Sequence, residues 1–151
     1  MLEERGLAPS ERAYVASPLS RTRDTMELLR ARLGPGLPPS ATDDRLKEMS
    51  FGAWEGRTWE DLKRAEPAAV AERRRDCWTF VPPGGESYAM VLARLAPWLA
   101  SLAEDAVVVA HGGVARALLH GRAGVPSALA PTREIHQGRV LLFEAGEARW
   151  F

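Results

Sequence analysis

The stretch VVVAHGGVARALL, residues 107–119, decides the fold of this 151-residue chain. An apolar run meets a histidine, two glycines follow, and apolar residues then recur at helical spacing. A continuous apolar run predicts a strand of a parallel sheet, covered on both faces and so free of alternation. His111 then falls at the strand's carboxyl end, the edge of an open α/β sheet where ligands bind. Gly112 and Gly113 leave the first amides of the next helix uncovered, and those amides with the helix dipole favour an anion. From this segment alone His111 has two readings of equal standing, a satisfied core histidine or a group that handles a ligand.

The same strand-then-helix pattern recurs upstream. AYVAS, residues 13–17, predicts a short buried strand, and PLSRTRDTMELLRARLG a helix with Pro18 at its first position, Ser17 as cap and Gly34 at its end. PGLPPSAT reads as a loop and DDRLKEMSFGAWEG as extended or irregular. TWEDLKRAE starts at a Thr58 cap with Asp61 three residues on. Pro67, Pro82 and Pro83 cut the middle into short helices and a loop. SYAMVLARLAPWLASLA predicts a longer amphipathic helix, opened by Ser87 and bent near Pro97. RVLLFEAGEARWF predicts a closing hairpin toward one edge of the sheet. Strands alternating with helices predict a single α/β domain, a three-layer sandwich with a mostly parallel central sheet flanked by helices.

Twenty basic and twenty acidic residues cancel, so no global field draws the chain to nucleic acid or membrane. The dense basic cluster Arg73-Arg74-Arg75 follows PAAVAE and reads as a solvated helix end. Cys77, the single cysteine, can form no intramolecular disulfide, and no histidine stands at a metal-ligand spacing from it. No metal or other cofactor is expected. The amino terminus has no apolar signal core, and nowhere do eighteen apolar residues occur in sequence. A soluble protein of a reducing cytoplasm is the expectation, and a homodimer is compatible with it.

The polar residues at strand ends now stand out. Ser17 and Arg21 lie past the first strand as His111 does past the later one, and an arginine fork binds phosphate bidentately. Alone, Arg21 and Arg23 read as solvated helix residues. Glu48 precedes a compact aromatic and glycine turn; it is either a surface carboxylate or, with burial raising its pKa, a proton donor to a leaving alkoxide. Glu86 and Ser87, in PGGES, are explained by helix capping. Trp54, Trp59 and Trp78 are candidates to pack over a small substrate or to form core, and Trp59, on a helix, reads as core. His120 reads as a helix-end contact, and His136 as a loop residue at most lining a pocket.

Together and in order, ASPLSRTRDT, RLKEMSFGAWEG, PGGES and VVVAHGGVAR resemble the histidine phosphatase superfamily, also called phosphoglycerate mutase-like, from about residue 13 to 151. The resemblance implies a metal-independent phosphomonoesterase in which a histidine is transiently phosphorylated. It implies that Arg21 binds phosphate, Glu48 donates the proton and His111 is the second pocket histidine. Ser17, Gly112, Gly113, Glu86 and Ser87 are the accompanying substrate-binding candidates, and the substrate a small phosphorylated metabolite. Because the chain closes directly after the hairpin, a hydrolase is expected rather than a mutase.

The chain departs from the family in one respect. Members begin with a strand ending in Arg-His-Gly, whose histidine is the nucleophile, and neither His111, His120 nor His136 stands in such a motif. MLEERG resembles the last turn of the helix that follows that strand. The expectation is a domain incomplete at its N-terminus, lacking its first, central strand, and inactive or strongly impaired as these 151 residues. The alternatives are a degenerate, non-catalytic phosphate- or phosphoprotein-binding module, and a rearranged site with His111 as nucleophile.

Overall fold

The computed structural model describes residues 9–151; the helix stump read at residues 1–6 lies outside them. The chain has an α/β fold with a small parallel sheet and helices flanking it. It divides into two compact units, one running up to Glu48 together with Leu95–His111, the other Met49–Arg94 together with Gly112–Phe151.

In the first unit β1 (Ala13–Ala16), β2 (Ser40–Thr42) and β3 (Ala106–Val109) form a parallel sheet in the order β2-β1-β3, with Ala16 level with both Thr42 and Val109. Helix α1 (Ser20–Leu33) carries Met26, Leu29 and Leu33 on one stripe, and this stripe packs on Tyr14, Ala16, Val107 and Val109. Each such side chain, when fully buried, contributes about 1.5–3 kcal/mol. Gly34, at φ 100°, ends the helix as expected.

Three expectations change here. The segment read as a loop contains β2, because the open edge of β1 pairs with residues 40–42. Strand β3 is half-buried along its whole length rather than fully buried, and among the described residues it has a neighbouring strand on one side only. Helix α1 starts at Ser20, after Leu19, which makes no side-chain cap bond. Ser17 is not its cap: its hydroxyl accepts from the Leu19 N–H at 3.5 Å, ahead of the helix, and lies closer to His111.

In the second unit α2 (Trp59–Ala65) starts at the expected cap, with Thr58 Oγ1 accepting from the Asp61 N–H at 3.2 Å. With α3 (Pro67–Arg75) it builds a core of Trp54, Leu62 and Val70 under Phe51 and Phe80. Trp54 is core rather than a substrate surface, its Nε1 donating to Glu66 at 3.0 Å. Trp59, expected as core, is 43% exposed as the first residue of α2, with the Arg73 guanidinium 4.9 Å from its ring. Arg73 is thereby half-covered, while Arg74 and Arg75 form the solvated helix end.

Helix α4 (Tyr88–Ser101) opens on Ser87, whose Oγ accepts from the Met90 N–H at 3.2 Å, and runs on through Pro97. Helix α5 is Gly112–Ala123. The hairpin β4 (Leu141–Glu144) and β5 (Glu147–Trp150) is a separate antiparallel sheet rather than an edge of the parallel one. Ala145 and Gly146 both have positive φ, as its two-residue turn demands. No helix among the described residues is long and apolar enough to cross a membrane.

Candidate active site

Strand order β2-β1-β3 sends the chain from β1 to one side while β3 lies on the other. The crevice at the carboxyl ends of β1 and β3 is therefore a topological switch point, where open α/β sheets bind ligands. Ser17 follows β1 and His111 lies just past β3. The Ser17 N–H donates to Val109 O at 2.9 Å, and its carbonyl accepts from the Thr22 hydroxyl at 2.9 Å. Thr22 thus fixes the backbone of Ser17 from the first turn of α1, a role the sequence reading missed.

So held, the fully buried Ser17 hydroxyl lies 2.8 Å from His111 Nε2. The other ring nitrogen, Nδ1, lies 3.1 Å from Arg21 Nη2. A guanidinium has only donors, so Nδ1 accepts from it, the ring proton sits on Nε2, and Nε2 donates to Ser17. Of the residues singled out, the structure brings together Ser17, Arg21 and His111. Arg21 is exposed on α1, its fork reachable by a ligand. Gly112 and Gly113 continue from His111 as the opening turn of α5.

Glu48 is half-buried between buried Leu46 and Met49. Glu86 has a different place. Its Oε1 accepts from Arg94 Nε at 2.8 Å, its Oε2 from the Ser50 N–H at 3.1 Å, and its own N–H donates to Ser50 O at 2.8 Å. Burial opposes the Glu86 charge, but the Arg94 and Ser50 hydrogen bonds outweigh it and hold the carboxyl below its ordinary range. A carboxyl so held is a tie between two loops and a poor proton donor.

The remaining candidates lie in the second unit. Trp78 stacks on Tyr88 at 5.9 Å, and the His120 ring stands edge-on to it at 4.5 Å. His120 Nδ1 lies 2.8 Å from Val125 O, a helix-end contact as expected. His136 is exposed, 3.6 Å from Glu134 and edge-on to Trp150.

Comparison with known proteins extends these observations. Residues 5–151 match the model of the histidine phosphatase superfamily (branch 1). A glucosyl-3-phosphoglycerate phosphatase of Mycolicibacterium vanbaalenii is 36% identical over 124 residues, 74% of this chain and 53% of its own length. A 2,3-bisphosphoglycerate-dependent phosphoglycerate mutase of Beijerinckia indica subsp. indica is 28% identical over 134 residues, 84% of this chain and 65% of its own. The chain thus spans between half and two thirds of these curated relatives. Among solved structures, mycobacterial glucosyl-3-phosphoglycerate phosphatase with inorganic phosphate superposes with a TM-score of 0.73 at 31% identity, over 92% of this chain and 73% of that one.

Proposed function

Because the chain belongs to the histidine phosphatase superfamily, we propose that it is the phosphate-binding body of a phosphomonoester hydrolase that acts on a small phosphorylated metabolite through a phosphohistidine. The observation that carries this reading is the hydrogen-bonded chain Ser17–His111–Arg21 at the carboxyl ends of β1 and β3. A phosphate monoester is anionic and repels a nucleophile, so its equatorial oxygens must be neutralised before attack. Arg21 supplies a permanent charge in a planar fork, and His111, through Nδ1, holds that fork at the carboxyl ends of β1 and β3. On entry of phosphate, Arg21 exchanges His111 Nδ1 for a phosphate oxygen. These groups supply the charge without a metal.

The attacking nitrogen belongs to a further histidine, in an Arg-His-Gly segment that these 151 residues do not contain. Its N–P bond forms as the ester P–O bond breaks, and Glu48 gives its proton to the leaving oxygen. Water then attacks phosphorus, the N–P bond breaks, and Glu48 takes the water's proton. Greater identity to the phosphatase than to the mutase supports hydrolysis. A reducing cytoplasm suits Cys77, an unbridged half-buried thiol whose pKa burial pushes up.

Calorimetric titration of the 151-residue chain with inorganic phosphate tests the site. Arg21→Ala should weaken binding by about 10- to 100-fold, the worth of one charge-assisted hydrogen bond, while Glu48→Gln leaves it nearly unchanged. The 151 residues should not turn over an alkyl or a nitrophenyl phosphate. With an Arg-His-Gly strand supplied in front, Glu48→Gln should slow the alkyl ester by about 10²–10⁴-fold and the nitrophenyl ester far less. Phosphate binding indifferent to Arg21, or robust turnover by the 151 residues with phosphate found on His111, overturns this reading.

A further inference from the structure

We propose that Asp43 and Arg45 form a positioning device that fixes Glu48 at the carboxyl edge of the parallel sheet. The proposal rests on the reading of Glu48 as the proton donor. Such a donor must be held within hydrogen-bond reach of the leaving oxygen. Yet Glu48 lies beyond β2 on a segment with no strand or α-helix of its own, and free backbone of that kind samples many conformations.

The structure ties this segment down step by step. Asp43 is the first residue past β2, and its N–H donates to Ala16 O at 3.1 Å, one step beyond the Ala16–Thr42 pair. Ala16 immediately precedes Ser17, whose hydroxyl meets His111. The Asp43 carboxylate then turns the chain. Its Oδ1 accepts from the Arg45 N–H at 2.8 Å and from Arg45 Nε at 2.9 Å, and its Oδ2 from Nη2 at 2.6 Å. The resulting 3-10 turn, Asp44–Leu46, closes with the Leu46 N–H on Asp43 O and the Lys47 N–H on Asp44 O, and Leu46 is fully buried. Glu48 is the next residue. From Ala16 to Lys47 the path is hydrogen-bonded throughout, and the Asp43 carboxylate supplies the bonds that set its direction.

The Arg45 side chain is 38% exposed, which limits what this pair adds to stability. A bidentate fork on a three-residue turn contributes direction instead. The same hydrogen bond from Arg45 outweighs burial and keeps the Asp43 carboxyl below its ordinary range, so the tie persists through neutral pH.

The test follows the carboxyl carbon of Glu48 by NMR in ¹³C-labelled 151-residue chain as inorganic phosphate is added, with Glu48→Gln assigning the signal. In the native chain the signal should move as phosphate binds. Asp43→Ala, which removes all three carboxylate bonds, should abolish most of that movement while phosphate still binds. Arg45→Gln, which keeps only the bond from the backbone N–H, should lose part of it, and serves if Asp43→Ala does not fold. Asp43→Asn keeps the oxygen that accepts both the N–H and Nε, so it should retain the movement best. A merely structural role would lower melting temperature in this series without this ordering. If Glu48 does not move in the native chain with phosphate bound, the proton-donor reading fails and this proposal with it. If it moves equally in all the variants, the positioning role is overturned and the proton-donor reading stands.

Discussion

Replacing Gly52 by alanine should destabilise the protein by an amount the loop geometry sets. A Cβ at Gly52 would lie 2.3 Å from Pro83 O and 2.5 Å from both Gly84 C and Gly85 N. All three are backbone atoms, so no side chain can swing away, and the loop carrying residues 83–85 must retreat. Retreat breaks the bonds that join the two loops, Ala53 N–H to Pro83 O, Glu86 N–H to Ser50 O and Ser50 N–H to Glu86, at about 1 kcal/mol each. The left-handed backbone at Gly52, φ 54°, adds about 1–2 kcal/mol for any residue with a Cβ. The sum is roughly 4–5 kcal/mol, or roughly 10–20 °C in Tm for a chain of this size. Gly56 is the control. It has φ 74° with nothing within 4 Å of a Cβ, so Gly56→Ala should cost only the backbone part, about 1–2 kcal/mol. Urea unfolding followed by tryptophan fluorescence measures both. Equal loss in the two variants would refute the interlock.

Other outcomes follow from the second unit. Glu86 has a folded-state pKa below its unfolded value, so its ion pair adds stability above the ordinary carboxylate range, and that contribution is lost as pH falls through the depressed folded value. The stability gap between the native chain and Glu86→Gln should therefore be wide at neutral pH and narrow in acid; a gap constant with pH would show that the Glu86 charge is not what Arg94 and Ser50 hold. Trp54→Ala should cost about 3–5 kcal/mol in urea unfolding, because Trp54 is buried and hydrogen-bonded to Glu66, while Trp59→Ala should cost much less. Equal costs would mean that Trp59 is buried after all.

Much of the sheet and its helices is legible in local pattern. Apolar runs before Ser17 and His111 are β1 and β3, and the helix after each is where its spacing indicates. Residues whose partners are close in sequence also declare themselves, as with Thr58 and Asp61. What is not legible depends on distant partners. Strand β2 is three residues long, too short for any periodicity, and exists because β1 offers it a ladder. Ser17 before a proline looks like a helix cap, and only the fold presents it with a histidine from another strand end. Glu86 reads as part of a helix cap until Arg94, a turn and a half into α4, takes its charge. The Asp43–Arg45 pair lies within two residues yet passes unnoticed, since its meaning comes from Ala16.

The pairing of β1 with β3 has a consequence for how the protein is made. Val15 pairs with Val108, so the two halves of the site leave the ribosome far apart in time. At about 5–20 residues per second, some 5–20 s separate their emergence. Through that interval β1 has an edge without its later partner, a template for pairing with another nascent chain. The β1–α1–β2 crossover unit can form at once, since its segments are contiguous and α1 supplies the cover of Met26. Synthesis slowed between Thr42 and Ala106 would lengthen the exposure, and aggregation during expression should rise with rare codons placed in that stretch and fall when an early-binding chaperone is abundant.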